Sequence, residues 1–309
     1  MKKVIVTGGA GFIGTHLIRR LVGEGHKVTV LDDLSTGILT NLDEFLSENS
    51  IDFVEGSITD LPLLTELFQG VQSVFHLAAI PSVPRSVIEP VLSHQINATG
   101  TLNVLLAAKD AQVNRVIYSS SSSVYGDTPT LPKKEDMTPN PQSPYAVAKL
   151  SGEYYCAVFN KVYGLSTVCL RYFNVFGPGQ NPDSQYAAVI PRFIKNCIKG
   201  DSPVIFGDGE QTRDFTFVKD VVTANLLAAK SEASGVFNIS RGDSITINRL
   251  TEHIIELTGS DLKPVYQEPR PGDIIHSLAD ISKATAFGYT PEHDLKTGLA
   301  ETVEWFKNG

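Results

Sequence analysis

The chain has 309 residues, of which 42% are hydrophobic and 19% charged, with a formal net charge of −8. That length suits one large α/β domain plus a smaller lobe, and the acidic balance argues against a nucleic-acid surface. Cys156, Cys169 and Cys197 show no metal or redox spacing, no apolar run approaches the ~20 residues of a membrane span, and Met1–Val6 is too short for a signal-peptide core. A cytoplasmic protein with reduced, buried cysteines and no metal site or membrane contact is therefore expected.

In chain order, Lys3–Thr7 is a short β-rich apolar run that enters Gly8-Gly9-Ala10-Gly11-Phe12-Ile13-Gly14, followed by a helical pattern from Thr15 to Val22. Gly9, Gly11 and Gly14 fit G-x-G-x-x-G, and Gly8, Gly11 and Gly14 fit the variant with two residues in each gap. Glycines there permit a tight turn and close approach to a pyrophosphate, which the following helix N-terminus favours. A second strand, Lys27–Leu31, ends at Asp32. An acid at that point accepts hydrogen bonds from a ribose 2′-hydroxyl and repels a 2′-phosphate, so NAD is preferred over NADP.

Strand-like runs continue at Asp52–Val54, Ser73–His76, Arg115–Ser119 and Ser166–Arg171, with helical patterns between them at Val91–Ala111 and Tyr145–Tyr163. The alternation predicts an α/β fold of Rossmann type, a doubly wound parallel sheet with helices on both faces. Beyond Phe176 a turn-rich segment, Gly177–Pro182, opens a smaller α/β lobe. The expected division is 1–176 for cofactor binding, completed by about 218–239, and 177–217 with 240–309 for substrate.

At the end of the fifth strand lies Tyr118-Ser119-Ser120-Ser121-Ser122-Ser123-Val124-Tyr125-Gly126, at the carboxyl edge where open α/β sheets bind ligands. Next comes Ser143-Pro144-Tyr145-Ala146-Val147-Ala148-Lys149. Ser143 and Pro144 read as an N-cap and first helical residue, which places Tyr145 and Lys149 one turn apart on one face. Lys149 and the helix dipole would both favour a phenolate, making Tyr145 a candidate general base, with a nearby serine hydroxyl able to share its proton.

Together these residues resemble the extended short-chain dehydrogenase/reductase family, specifically the UDP-hexose 4-epimerases. The resemblance continues through His76-Leu77-Ala78-Ala79, Asn97, Arg171-Tyr172-Phe173-Asn174, Gly207-Asp208-Gly209, Arg213-Asp214-Phe215 and Arg270-Pro271-Gly272-Asp273. It implies an isomerase with tightly bound NAD, a UDP-sugar substrate, a transient 4-keto intermediate and a homodimer. Tyr145 is then the base, Lys149 holds the nicotinamide ribose, and Ser121 positions the substrate hydroxyl. The implied cofactor set is Gly8, Gly11, Phe12, Ile13, Gly14, Asp32, Asp33, Leu34, Ser35, Thr36, Gly37, Ser57, Ile58, Leu77, Ala78, Ala79, Asn97, Ser119, Tyr145, Lys149, Tyr172 and Phe173. The implied substrate set is Ser82, Ser121, Ser123, Tyr145, Asn174, Ala188, Val189, Val204, Phe206, Arg213, Arg270, Asp273 and Ser277.

The chain departs from the family at two places. Pro81 stands where some epimerases carry a phosphate-contacting lysine, and Gly56-Ser57 replaces a Gly-Asp, with Ile58 expected to pack on the adenine. A sugar-nucleotide 4,6-dehydratase on this scaffold carries an Asp-Glu pair after the strand-end hydroxyl residue, where this chain has Ser122-Ser123. A UDP-glucuronate 4-epimerase or decarboxylase shares the Tyr/Lys/Ser set and stays open. Ser277 falls where epimerases confined to unacetylated hexoses carry a tyrosine, so a 2-acetamido hexose is expected to fit.

Overall fold

The computed structural model describes residues 2–182, 188–269 and 275–308. Its centre is a seven-stranded parallel sheet. Six strands follow in chain order: β1 (Lys3–Thr7), β2 (Lys27–Asp32), β3 (Ile51–Glu55), β4 (Ser73–His76), β5 (Arg115–Ser121) and β6 (Thr167–Tyr172). The seventh, Gly235–Ile239, pairs beside β6, and the spatial order runs from it through β6, β5, β4, β1 and β2 to β3. The order reverses between β1 and β4, which is the switch point where such sheets open a ligand crevice.

The central strands are continuous apolar runs because helices cover both faces. One core layer gathers Val4, Val6, Leu17, Val28, Val30, Leu170 and Val221, and the other gathers Ile5, Val74, Val104, Val116, Phe159 and Cys169. A third cluster, including Phe176, Phe193, Ile205, Phe217, Leu250 and Leu299, lies in the C-terminal half, and Phe12 and Ile13 of the glycine loop pack against it. That half has short paired strands, Val204–Phe206 with Val265–Gln267 and Thr212–Arg213 with Ile245–Thr246, and helices Val189–Lys199, Ile247–Thr258 and Leu295–Asn308.

The expected 91–111 helix is three pieces: Pro90–His94, a π-helical turn at Gln95–Thr99, and Gly100–Asp110. The Pro144–Tyr163 helix is continuous, with Ser143 Oγ accepting from Ala146 N and Gly164 closing it in the left-handed region. Among the described residues no helix is long and apolar enough to cross a membrane, and no His/Cys/Asp/Glu group could hold a metal ion.

Candidate active site

The glycine loop is shaped by close backbone approach. A Cβ on Gly8 would lie 2.6 Å from Ala78 N, and one on Gly14 would lie 2.4 Å from Gly8 O. Gly11 differs, for its Cβ would meet nothing nearer than Gly8 O at 3.3 Å. The first helix, Phe12–Gly23, has no side-chain cap and no acid in its first turn, so its initial N–H groups are offered to an anion. Beside it the buried Asp32 carboxylate accepts from Ala10 N and Leu34 N, each at 2.9 Å. Burial raises its pKa and the two N–H donors oppose that rise. Leu34, at φ 56°, makes the turn that carries Asp33, Ser35, Thr36 and Gly37 over this end of the sheet. An open anion cradle next to a fixed acid fits the pyrophosphate and adenosine ribose of NAD.

The loop after β4 is fixed by a buried chain of hydrogen bonds. Thr101 Oγ1 donates to Asn97 O at 2.7 Å, so it accepts from His76 Nε2–H at 3.0 Å. That leaves His76 Nδ1 to accept from the Thr7 hydroxyl at 2.8 Å, while Thr7 Oγ1 accepts from Ala78 N at 3.3 Å. Burial and the nearby Lys149 charge push His76 down to about 3, so the ring is neutral. Inside the π-helical turn, the Asn97 carboxamide accepts from Ile80 N at 2.8 Å and donates to Ile80 O at 3.1 Å, which clamps the segment that follows Leu77, Ala78 and Ala79. Ser82 caps the next short helix, its Oγ accepting from Arg85 N at 3.1 Å, so its own proton is still free to donate.

Tyr145, Lys149 and Ser121 converge at the carboxyl end of β5. The Ser121 side chain lies near enough to the Tyr145 phenol to pull its pKa down, and its Oγ accepts from Ser123 N at 3.2 Å. Lys149 is 4% exposed, and its Nζ donates to Ser119 O at 2.7 Å and lies 6.0 Å from the Tyr145 ring centroid. Ser123 Oγ is buried without a hydrogen-bond partner among the described residues, as expected of a hydroxyl that pairs with a ligand. The phenolate expected from Lys149 and the helix dipole is not what the protein groups produce. Burial pushes Tyr145 up to about 12, Ser121 pulls it only partway back, and burial takes Lys149 down to about 8.

Two residues of the expected cofactor set have side chains packed in the core. Ile58 is 3% exposed and its side chain fills the space beside Gly100. Phe173 is 1% exposed and packs with Val124, Tyr125 and Ala279. Tyr172 instead reaches Ser119, hydroxyl to hydroxyl, at 3.0 Å. Ser57 Oγ is engaged with Thr59 Oγ1 at 3.0 Å.

In the C-terminal half a cleft of about 230 Å³ brings together Asn174, Ala188, Val189, Val204, Phe206 and Arg213. It is also lined by Arg192 and Gln211, which the sequence reading missed. Arg192 lies 5.9 Å from the Phe206 ring centroid and Gln211 Nε2 donates to Phe206 O at 2.7 Å. Only an isolated arginine on an amphipathic helix signalled the first, and nothing signalled the second. Arg213 Nη1 donates to Thr212 O at 2.8 Å and, more weakly, to Ile275 O at 3.3 Å. Ser277, 8% exposed, donates its N–H to Thr212 O at 3.1 Å and so borders the same strand. Arg270 and Asp273 lie outside the described residues.

The parallel sheet, the glycine loop with its acid and the Tyr145–Lys149–Ser121 set define an enzyme of the extended short-chain dehydrogenase/reductase class. Residues 4–240 match the model of the NAD dependent epimerase/dehydratase family, and the chain belongs to that family. It is similar to a UDP-N-acetylglucosamine 4-epimerase from Methanobrevibacter ruminantium M1, solved with UDP-N-acetylmuramic acid, at 46% identity and TM-score 0.96 over 99% of this chain and 98% of that one. A Thermotoga maritima UDP-glucose 4-epimerase, solved with UDP-glucose, is 40% identical with TM-score 0.95 over 99% of both chains. A UDP-glucose 4-epimerase of Mycolicibacterium smegmatis is 39% identical over 310 residues, 99% of each chain. The protein is an NAD-dependent epimerase, an isomerase.

Proposed function

We propose that this enzyme inverts C4 of UDP-hexoses and accepts both plain and 2-acetamido sugars. The observation that carries the reading is the buried Tyr145 with Ser121 beside it at the end of β5, and the buried Lys149 held on Ser119 O of the same strand, with Ser122-Ser123 next in the chain where a dehydratase carries its acids. NAD, when bound, supplies the reversible hydride acceptor and a positive ring that favours a phenolate nearby. Tyr145 takes the O4 proton and returns it, Ser121 holds the hydroxyl, and Lys149 holds the nicotinamide ribose. The cleft through Asn174, Val204, Phe206 and Arg213, together with Arg270 and Asp273, takes the uridine diphosphate. Binding energy placed there leaves the sugar free to turn. The two halves of the chain are read accordingly, as a cofactor-binding and a substrate-binding lobe.

Serine at 277 supports the acetylated substrate, since a small side chain leaves room where a phenol ring would stand, and the Methanobrevibacter relative is itself named for an acetylated sugar. The test supplies UDP-glucose, UDP-GlcNAc and UDP-glucuronate separately and resolves products by NMR. Interconversion of UDP-GlcNAc with UDP-GalNAc, and of UDP-glucose with UDP-galactose, is expected. Turnover of UDP-glucuronate alone, or release of a 4-keto-6-deoxy sugar, overturns the reading. Ser277→Tyr should depress the acetylated reaction selectively, and equal losses on both pairs would remove the size argument.

A further inference from the structure

Four consecutive residues of β5 face the Pro144–Tyr163 helix, and three of them hold it by hydrogen bonds from different groups. The Tyr118 hydroxyl donates to Lys149 O at 3.2 Å, Ser119 O accepts from Lys149 Nζ at 2.7 Å, and the Ser120 hydroxyl donates to Glu153 Oε1 at 2.5 Å. The fourth, Ser121, lies beside the Tyr145 phenol. On the helix, Tyr145, Lys149 and Glu153 follow at intervals of four and so share one face.

Glu153 stands one turn beyond the reacting pair and belongs to neither ligand cleft. It is 3% exposed, and Arg171 from β6 locks it through Nε at 2.8 Å and Nη2 at 2.6 Å. A buried ion pair costs about as much to desolvate as it returns, so stability alone does not account for it. Lys149, by contrast, is buried with its ammonium on a neutral carbonyl and has no ion pair with a carboxylate among the described residues. The groups around it are Tyr145 and Glu153 on its own helix, Tyr118 on β5, His76 on β4, and Tyr172 and Arg171 on β6. Burial holds the three phenols protonated and His76 neutral, and Arg171 is already matched by its bidentate contact. Glu153 is the anion of this set.

We propose that Glu153 is a positioning residue whose buried carboxylate, fixed by Arg171 and Ser120, is the counter-charge that keeps the Lys149 ammonium protonated at working pH. The inference rests on reading Tyr145 and Lys149 as the reacting pair. Burial lowers Lys149 to about 8 and Glu153 opposes the fall. A lowered lysine loses its charge as pH rises, so removing Glu153 moves that loss to lower pH.

The test follows the Lys149 Cε and Nζ resonances by NMR, assigned through Lys149→Met, beside the pH profile of kcat. In Glu153→Gln the Lys149 midpoint and the basic limb of kcat should fall together by about one pH unit or more, whereas Glu153→Asp keeps both near the parent. A folded Glu153→Gln with an unmoved Lys149 midpoint overturns the proposal, whatever its kcat. Should the unpaired Arg171 prevent folding, Glu153→Gln/Arg171→Met removes both charges, and the Lys149 midpoint must still fall, by less than in Glu153→Gln because the Arg171 repulsion goes with it. The parent alone is also decisive in one direction, for a Lys149 midpoint well below 7 leaves no protonated ammonium to explain. Sustained turnover by Tyr145→Phe would defeat the reading of the reaction, while the NMR midpoints would still decide the role of Glu153.

Discussion

Tyr145 is a buried phenol whose protein neighbours do not ionise it. Burial pushes its pKa up to about 12, and in the proposed reaction the positive charge of a bound nicotinamide ring is what favours the phenolate that accepts the substrate proton. Tyr145→Phe removes the hydroxyl and keeps the ring. Turnover should fall about 10²–10⁴-fold while thermal unfolding and NAD content stay at the parent values, and near-parental activity would reject Tyr145 as the proton carrier. Asp32 carries a separate prediction. Its carboxylate is fixed by Ala10 N and Leu34 N, so it meets a 2′-phosphate as a rigid negative charge. NAD should co-purify with the protein, and Asp32→Ala should narrow the preference for NAD over NADP. An unchanged preference in that variant, or NADP in the extracted nucleotide, sinks the assignment.

Among the elements, the Pro144–Tyr163 helix meets β5 with no room to spare. A Cβ on Gly152 would lie 2.3 Å from the hydroxyl of Tyr118, whose ring is fully buried. Gly152→Ala gains up to ~1 kcal/mol of helix propensity but meets overpacking of about 1–3 kcal/mol, and the contact wins because Tyr118 has nowhere to move. The variant should melt several degrees lower, and turnover should fall with it, because the displaced helix carries Tyr145 and Lys149. Gly23→Ala is the control. Nothing lies within 4 Å of its Cβ, so it should melt at or above the parent temperature. A Gly152→Ala protein as stable as Gly23→Ala would show that this interface is slack.

The same elements show how far the sequence could be read. The buried strands were legible because parallel strands covered on both faces must be continuous apolar runs, and the Tyr145/Lys149 pair was legible because four-residue spacing has one meaning on a helix. The π-helical turn at 95–99 was not, and the hydrogen bonds beside it join Thr7, His76 and Thr101, which come from three separate elements. Nothing in the sequence marks Glu153, which gains its partner only because β6 places Arg171 against it. The burial of Ile58 and Phe173 was hidden for the same reason: family position says that a residue is near a ligand, while only packing says which way its side chain turns.

For the whole molecule, the face of the Pro144–Tyr163 helix turned away from the sheet is apolar where a solvated helix should be polar. Val147, Tyr154, Val158 and Val162 are 47%, 59%, 47% and 63% exposed and recur every three or four residues apart from the gap at Ser151. Val87, Ile88 and Val91, at 63%, 70% and 79%, belong to the short helices that flank it, so the patch is continuous across neighbouring elements. A contiguous apolar surface of this kind marks an interaction site. The expected occupant is a second copy, which would lay its own equivalent helices against these in an isologous pair and bury the same side chains twice. Light scattering at micromolar concentration should give twice the chain mass. Tyr154→Glu/Val158→Glu places two charges at the centre of the patch without touching Tyr145 or Lys149, and it should give a folded monomer. A parent protein that scatters as a monomer, or a double variant that remains a dimer, would remove this face as the interface and leave the chemistry of the site untouched.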